Sequence, residues 1–204
     1  MQKKKDSSYY RGLAKKACDA PQPAMQKWTE FAEFLEYLDG HKLESILEIG
    51  TLNGGVLKAL RHIASLTANF VLVDYGDIPK SEIKKMPIAD QSVQIIIGDS
   101  HSKEVEEKVG MLKPFDFILI DGDHSYEGVK KDFEMYSPMV RKGGIIAFHD
   151  ILPHTHPTHK KTVGVSKFWK EITKEYEKEE KREFTDTEYK SDWGQWGGIG
   201  IIKL

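Results

Sequence analysis

Acidic residues and histidines follow two apolar runs of this sequence, and they are the residues that could do chemistry. The runs FDFILID and GGIIAFHD lie within Phe115–Asp150, and the polar residues at their ends are Asp121, Asp123, His124, His149 and Asp150. An imidazole exchanges protons near neutral pH, and carboxylates and imidazoles bind metal ions. The spacing therefore predicts a functional site where the two runs end.

The segment that carries these residues is typical of strand, helix and strand. Apolar runs of four to eight residues rich in Ile, Leu and Phe are typical of parallel strands that are covered on both faces. The stretch between them, SYEGVKKDFEMYSPMVRK, is helix-like. Ligands of open α/β sheets bind beyond the carboxyl ends of the strands. We therefore expect the five side chains to crowd one rim of a sheet.

The other predicted elements repeat this alternation. Trp28, Phe31, Leu35 and Leu38 recur at helical spacing within 26–39, so they should share one buried face. Further helices are expected from near Gly55, over 101–112 and around Phe168, the last running into the charge-rich EYEKEEKRE as a solvated face. The predicted strands are Ser45–Ile49, Asn69–Asp74, Ser92–Ile97, Phe115–Asp121, the run GGIIAFHD, and finally Glu183–Tyr189 and 198–203 as antiparallel neighbours.

Length and charge favour one domain with a small-molecule partner. The chain has 204 residues, of which 39% are hydrophobic, enough for one sizeable core. Its net charge of −2 provides no overall field to attract nucleic acid or an anionic membrane. We therefore expect neither as a partner, and the sequence leaves a homo-oligomer open.

The beginning of the chain predicts a cytoplasmic protein. Cys18 is the only cysteine, so no intramolecular disulfide can form, and a reducing compartment fits. The basic start MQKKKD is followed by polar residues and not by an apolar signal region. Residues 1–25 are polar, basic and rich in proline near their end, which favours a mobile tail or irregular arm, with a lid over the substrate as the alternative.

Acidic residues end all five strands of the alternating half. They are Glu48, Asp74, Asp99, Asp121 and Asp150. A crevice lined with carboxylates repels a pyrophosphate but suits a cation, such as a sulfonium, an ammonium or a metal ion. The glycines agree, because Gly50, Gly54 and Gly55 have the spacing G-x-x-x-G-G and not the G-x-G-x-x-G of dinucleotide sites. Both features weigh against NAD.

Several motifs together resemble a known family. They are LEIGTLNGG, VLVD, IIIGDS, IDGDHSYEGVKKDFEMYSPMVRKGGIIAFHDI and GGIGII. The sequence resembles class I S-adenosylmethionine-dependent methyltransferases, in the branch of cephalosporin-hydroxylase-like and macrolide-sugar O-methyltransferases. The resemblance covers residues 26–204 as one methyltransferase domain. It implies an α/β, Rossmann-like doubly wound, mostly parallel seven-stranded sheet with an antiparallel C-terminal strand.

The resemblance also implies which residues bind S-adenosylmethionine. The first glycine turn would contact the methionine part, Asp74 the ribose hydroxyls, and Asp99 with Ser100 the adenine side. The residues it implies for the cofactor are Glu48, Gly50, Thr51, Asn53, Gly54, Asp74, Asp99, Ser100 and Asp121. A tight turn without a ligand role remains the alternative for the glycines, and strand-end turn formation remains the alternative for Asp99 and Ser100.

Relatives that use a divalent metal carry ligands at the positions of Asp121, His149 and Asp150. His149 departs from this pattern, because it offers a nitrogen where those relatives usually have an oxygen ligand. A nitrogen ligand suits manganese, iron or zinc better than magnesium. The alternative is that Asp121 and Asp150 hydrogen-bond the cofactor without a metal. His154, His156 and His159 fit a solvent-exposed loop, and adventitious metal binding is the alternative that their spacing allows. Trp193 and Trp196 fit either an acceptor pocket or hairpin packing.

The resemblance implies transfer of a methyl group to a hydroxyl on a sugar or another small molecule. His124 lies three residues past Asp121, where relatives carry the base that removes the acceptor's proton. An imidazole with a pKa near 6.5 can accept a proton near neutral pH. Two alternatives stay open, a non-catalytic scaffold that binds S-adenosylmethionine and, less favoured, an NAD-dependent oxidoreductase.

Overall fold

A seven-stranded sheet runs through the centre of the computed structural model, which describes residues 5–21, 23–76, 78–188, 192 and 194–204. The strand order is β3-β2-β1-β4-β5-β7-β6. Strands β1 to β5 are parallel, and β7 is antiparallel to both of its neighbours, β5 and β6. The predicted fold class is therefore confirmed. The strands are β1 Ser45–Ile49, β2 Asn69–Asp74, β3 Ser92–Ile97, β4 Phe115–Ile120, β5 Val140–His149, β6 Glu180–Phe184 and β7 Ile199–Lys203.

Helices cover both faces of the sheet. Neighbouring residues of one strand belong to two separate hydrophobic clusters, as Ile46 and Leu47 do, because successive side chains of a strand point to opposite faces. One cluster takes in α1 to α3, and the other takes in α5 to α7. The helices are α1 Ser7–Cys18, α2 Trp28–Leu38, α3 Gly55–Leu60, α4 Lys80–Ile83, α5 Lys103–Gly110, α6 Tyr126–Tyr136 and α7 Val165–Glu175, with a 3₁₀ turn at Ser137–Met139.

The helices of the described residues are all too short or too polar to cross a membrane.

The strand register brings the ends of the central strands level with one another. Ile49 at the end of β1 pairs with Val73 on one side and with Ile120 on the other. Ile120 in turn pairs with Phe148 near the end of β5. All six residues of β4 are buried, and Asp116 among them is satisfied by the backbone N–H groups of Glu44 and Ser45. The residues that follow β1, β2, β4 and β5 therefore share one rim.

The first part of the chain differs from the mobile tail or irregular arm that its composition favoured. Residues Ser7–Cys18 form α1, which packs on α2 and α3. Tyr10, Ala14 and Ala17 are buried at helical spacing, and the Tyr10 hydroxyl donates to Asp39 at 2.6 Å. Two alanines and a tyrosine make a narrow apolar stripe, and the helix was not recognised in the sequence because lysines surround these three residues. Closure of this segment over a bound ligand stays a prediction.

The charge-rich run near the C-terminus also differs from its prediction. We expected EYEKEEKRE to continue a helix as a solvated face, but α7 ends at Glu175 and Glu180 already begins β6. The predicted strand Glu183–Tyr189 therefore starts too late, and Tyr189 lies outside the described residues. β6 forms the edge of the sheet, where charged side chains remain in solvent and deter pairing with other chains.

The segment that joins α1 to α2 passes directly over the start of α3. A Cβ added to Gly55 would collide with the backbone of Pro23 and Ala24, closer than real Cβ atoms approach other atoms. Ala24 N–H also donates to the Ala17 carbonyl at 3.0 Å. Only glycine at position 55 lets the chain leading into α2 lie against the turn that follows β1.

We predict that Gly55→Ala lowers the free energy of unfolding by about 1–3 kcal/mol, because overpacking outweighs the better helix propensity of alanine. Gly12→Ala is the matched control, since an added Cβ on this α1 glycine meets no atom within 4 Å. The control should gain about 0.5–1 kcal/mol. Urea denaturation of both variants measures the difference, and a stabilised Gly55→Ala variant would contradict the close approach.

Candidate active site

The turn after β1 is built by close contact with the start of the segment after β4. Gly50 has a φ of 87°, and a Cβ on it would overlap the backbone of Asp121. Its N–H donates to the Val73 carbonyl at 2.9 Å, and Asp121 N–H donates to the Ile49 carbonyl at 2.9 Å. The predicted cofactor turn and Asp121 are therefore fixed to each other through backbone contacts.

Gly54 shapes the end of this turn and the start of α3. It caps α3 in the left-handed conformation with a φ of 71°. Asn53 is half-buried beside it, and Thr51 is buried. The Thr51 hydroxyl donates to Glu48 Oε2 at 3.3 Å. All five residues predicted to contact the methionine part thus lie in or directly beside one turn.

Asp74 is held against the same turn by the backbone. Its Oδ2 accepts the N–H of Leu52 at 2.7 Å, and its Oδ1 accepts the N–H of Gly76 at 2.8 Å. A carboxylate oxygen has two lone pairs, so each oxygen keeps capacity for a ligand hydroxyl. The position fits the predicted contact with ribose, which stays a prediction.

Asp99 and Ser100 follow β3, whose last residue, Ile97, pairs with Asp74 at the end of β2. The Asp99 carboxylate is exposed and accepts the backbone N–H of His101 at 2.9 Å. The Ser100 carbonyl accepts the Tyr136 hydroxyl at 2.6 Å. His101 Nε2 lies 3.2 Å from Asp132 Oδ1, a carboxylate buried beneath this turn. The adenine-side prediction for Asp99 and Ser100 stays untested by these contacts.

Four of the predicted residues form one compact cluster at the rim. Asp121 Oδ1 lies 3.2 Å from His124 Nε2 and 3.2 Å from His149 Nδ1. His124 Nδ1 lies 3.0 Å from Asp150 Oδ2. Both carboxylates therefore contact the His124 ring, one at each nitrogen. Asp123, the fifth side chain of the two runs, turns away and accepts the Ser125 N–H at 2.8 Å, next to the start of α6.

Backbone strain and loop contacts fix this cluster. Asp150 directly follows β5 with a φ of 63°, a conformation that is uncommon for residues other than glycine. Its Oδ1 accepts the N–H of Gly197 at 3.0 Å. The His124 carbonyl accepts the N–H of Gly164 at 2.7 Å, which ties it to the start of α7. The His124 side chain remains 37% exposed, so one face of it is open to a ligand.

The ion pairs of the cluster change the pKa of each member. Burial lowers the pKa of His124, but its hydrogen bonds to Asp121 and Asp150 outweigh burial and raise it to about 11. Burial also opposes charge on His149, whose pKa the same two carboxylates raise to about 9. Burial raises the pKa of Asp150, but the charges and hydrogen bonds of the histidines hold it well below its usual value. Both imidazoles are therefore protonated at neutral pH in this arrangement.

Glu48 stands close to the same charges without a cation of its own. Its pKa is raised well above the usual value, first by burial and then by the negative charge of Asp121. Burial is the larger cause, so the Glu48 side chain is disfavoured as an anion mainly because it is out of contact with water. A bound cation there would be favoured by the electrostatic field.

Two residues of the site, Gln26 and Glu30, were missed by the sequence reasoning, and a third, His154, was expected in a solvent-exposed loop but has a side chain only 10% exposed. Gln26 Nε2 donates to Asp121 Oδ2 at 2.8 Å. The buried Glu30 accepts the N–H of Gly198 at 2.9 Å, and its Oε1 lies 3.9 Å from His149 Nε2. His154 Nε2 lies 3.0 Å from Asp150 Oδ1, an ion-pair contact on the side of Asp150 away from His124 Nδ1, which contacts Oδ2. The sequence does carry one signal for Glu30, because this glutamate stands directly beside the apolar face of α2, four residues after Gln26.

The cluster contains donor atoms of the types that the predicted metal site needs, but they are not arranged around a common metal position. Ligands at right angles around a divalent ion stand about 3 Å apart, which matches the spacing of Asp121 Oδ1 and His149 Nδ1. The buried His149 Nε2 also has no hydrogen-bond partner among the described residues. Nevertheless, no group of three or more His, Cys, Asp or Glu side chains in the described ranges is arranged to hold a metal ion. The imidazoles instead pair with both carboxylates, so metal binding stays a prediction.

Of the two tryptophans, only one can be placed. The Trp196 ring lies edge-on to His149, with 6.4 Å between ring centroids. It also faces Lys27, whose Nζ donates to the Asp186 carbonyl at 2.8 Å. Trp193 lies outside the described residues. Trp196 thus borders the cluster at the end of β5, and its place in an acceptor pocket stays a prediction.

Sequence comparison finds one matching family model and two curated relatives. A family model described as a methyltransferase domain matches residues 47–151, which include the rim from β1 to β5. Demethylmacrocin O-methyltransferase from Streptomyces fradiae is 27% identical over 139 residues, which cover 61% of this chain and 33% of that protein. An uncharacterized protein of Acanthamoeba polyphaga mimivirus is 31% identical over 111 residues, covering 51% of this chain and 50% of that one. The chain thus spans half or less of the length of these curated relatives.

Solved structures share the whole fold at low sequence identity. An O-methyltransferase from Bacillus cereus in complex with S-adenosylhomocysteine matches with a TM-score of 0.66 and 20% identity, covering 100% of this chain and 94% of that one. MycE from the mycinamycin biosynthetic pathway, in complex with Mg, S-adenosylhomocysteine and mycinamycin VI, matches with a TM-score of 0.64 and 16% identity, covering 98% and 55%.

The family match spans about half of the chain and contains the glycine turn, Asp74 and the Asp121–Asp150 rim that the geometry brings together. The chain therefore belongs to the methyltransferase domain family and has the fold of the class I S-adenosylmethionine-dependent methyltransferases.

Proposed function

We propose that the chain transfers the methyl group of S-adenosylmethionine to a hydroxyl of a small-molecule acceptor. The observation that carries the proposal is the position of His124. A half-open imidazole lies between two carboxylates, and one of them, Asp121, is packed against the glycine turn. A methyl donor held by that turn would therefore lie next to a group that can handle the acceptor's proton.

The reaction proposed is an in-line transfer. The acceptor oxygen attacks the methyl carbon, the carbon–sulfur bond breaks, and the hydroxyl proton passes to His124. The sulfonium is already activated, so catalysis comes mainly from aligning oxygen, methyl and sulfur. The glycine turn and Asp74 would hold the donor, while the rim beside Trp196 would receive the acceptor.

The pKa of His124 sets a condition on this role. We assumed a value near 6.5 from the sequence, but the two ion pairs raise it to about 11. At pH 7.5 only about one molecule in three thousand would then carry the neutral, proton-accepting ring. His124 becomes an effective base near neutral pH only when Asp121 and Asp150 are engaged by another positive group.

A divalent metal is the group that the resemblance implies for that place, with Asp121, His149 and Asp150 as its ligands. It would polarise the acceptor hydroxyl and compete with His124 for the carboxylates. The donor set of two carboxylates and one imidazole suits manganese, iron or zinc better than magnesium. MycE was solved with magnesium, which supports metal use in a protein of the same fold.

The acceptor we favour is a sugar hydroxyl in a glycan or natural product, with a phenol as the second choice. The similarity to a demethylmacrocin O-methyltransferase supports a natural-product acceptor. A cytoplasmic location remains part of the proposal, resting on the single cysteine. The retained His124 cluster favours an enzyme over a non-catalytic scaffold, and the glycine spacing disfavours an NAD-dependent oxidoreductase.

We predict that S-adenosylmethionine and S-adenosylhomocysteine raise the melting temperature and that NAD does not. A ligand that binds only the folded state at 100 times its Kd adds about 2.7 kcal/mol of stability. Thermal unfolding with each ligand at equal concentration measures this. A shift with NAD alone would overturn the assignment of the cofactor.

Replacing His124 with alanine should lower turnover by about 10²–10⁴-fold, the usual contribution of a general base. The Kd of S-adenosylhomocysteine should stay within a few-fold of wild type, because the glycine turn and Asp74 are untouched. His41→Ala is the matched control, since His41 follows α2, contacts Tyr37 of that helix and precedes β1, at the edge of the sheet opposite the rim. Near-normal turnover of the His124 variant would remove this residue from the mechanism.

The pH dependence of kcat/KM should report the ion pairs of His124. Without metal, activity should rise about tenfold per pH unit above neutrality, because the base is neutral only above its raised pKa of about 11. Added Mn²⁺ should move this rise to lower pH, since it draws the carboxylates away from the imidazole. A chelator should reverse the shift. Identical profiles with manganese and with chelator would refute the metal ligands.

A further inference from the structure

The Gln26 side chain joins the start of α2 to the carboxylate at the centre of the rim. It is 6% exposed, and its Nε2 donates to Asp121 Oδ2 at 2.8 Å. Asp121 Oδ1 faces the two imidazoles, so Gln26 contacts the other carboxylate oxygen, which neither imidazole contacts. The residue lies outside the span matched by the family model, residues 47–151.

The backbone around Gln26 is held in place from two sides. Pro23 and Ala24 lie against Gly55, at the first turn of α3. The Gln26 carbonyl accepts the Cys18 thiol, with sulfur and oxygen 3.3 Å apart. Gln26 is therefore set between the glycine turn and Asp121 by packing that does not depend on its own side chain.

The other end of the amide is unsatisfied. Gln26 Oε1 is buried and has no hydrogen-bond partner in the described part of the chain. The amide orientation is fixed, because its nitrogen must face the Asp121 carboxylate, which can only accept. Most buried polar groups find partners, so an orphaned acceptor at a ligand site indicates that a donor arrives with the ligand.

The contacts around Gln26 select the kind of donor. Oε1 can only accept, and Nε2 of the same amide donates to Asp121 Oδ2, the carboxylate oxygen that neither imidazole contacts. A cationic N–H donor would satisfy the amide oxygen and lie near this carboxylate oxygen.

We propose that Gln26 is a cofactor-positioning residue whose Oε1 accepts a hydrogen bond from the α-ammonium of the methionine part of S-adenosylmethionine. Its Nε2 holds Asp121 beside the same ammonium. The inference rests on the proposed function, because it requires this cofactor at the glycine turn. The methionine part of S-adenosylmethionine would then be recognised by a side chain from the segment before α2 as well as by the glycine turn after β1.

The test compares two ligands by isothermal titration calorimetry, S-adenosylhomocysteine and its desamino analogue. Wild type should bind the parent ligand about 10- to 100-fold more tightly, the usual worth of hydrogen bonds to a charged group. Gln26→Met, which keeps the volume and removes both amide atoms, should lose most of this preference while binding the desamino analogue nearly as well as wild type. Gln94→Met, on the exposed edge strand β3, is the control and should change neither affinity.

The outcomes separate this inference from the function on which it rests. Wild type that binds neither ligand overturns the proposed function. Wild type that binds both ligands equally overturns the ammonium contact, even if the Gln26 variant does not fold. Equal weakening of both ligands by Gln26→Met also overturns it, because a residue that recognises the ammonium must weaken only the ligand that carries one.

Discussion

The Asp121 carboxylate is the point on which the rest of the site depends. Its two oxygens contact three side chains from three parts of the fold, His124 after β4, His149 at the end of β5 and Gln26 before α2. A buried carboxylate is stable only when it is paired and hydrogen-bonded. The cluster therefore fixes the relative positions of the cofactor turn, the proposed base and the segment that leads into α2.

The geometry behind this contact comes from the backbone. Level strand ends put Asp121 next to the turn after β1, and Gly50 permits a contact that any side chain would block. Gly55 does the same for the chain leading to Gln26. Two glycines of one turn thus let other parts of the backbone pack closely on opposite sides of it. This packing explains the spacing of the glycines, so no pyrophosphate ligand is needed to account for it. The same crowding leaves Glu48 buried near Asp121, and burial raises the pKa of its carboxyl well above the usual value.

The sequence predicted the parallel half of the fold well, for a physical reason. Strands buried on both faces are continuous apolar runs, so the bounds of β1 and β2 match the prediction. The bounds of the edge strand β3 also match it. α1 and β6 were mispredicted because their buried residues are few and stand among charges. Asp121, His124, His149 and Asp150 were recognised by position, but not the raised pKa of His124. That shift depends on Asp150 approaching from another strand, and Gln26 and Glu30 likewise act only through contacts distant in sequence.

Asp121 and Asp150 hold His124 as an imidazolium in the metal-free protein, and the proposed catalysis depends on this protonation state. An NMR titration of the histidine ring nuclei, with the His124 signal assigned from its absence in a His124→Gln variant, measures it directly. We predict that His124 stays protonated through neutral pH and titrates at about 11. A folded protein in which His124 titrates near 6.5, the value of a free imidazole, would contradict the ion pairs and the condition they place on catalysis.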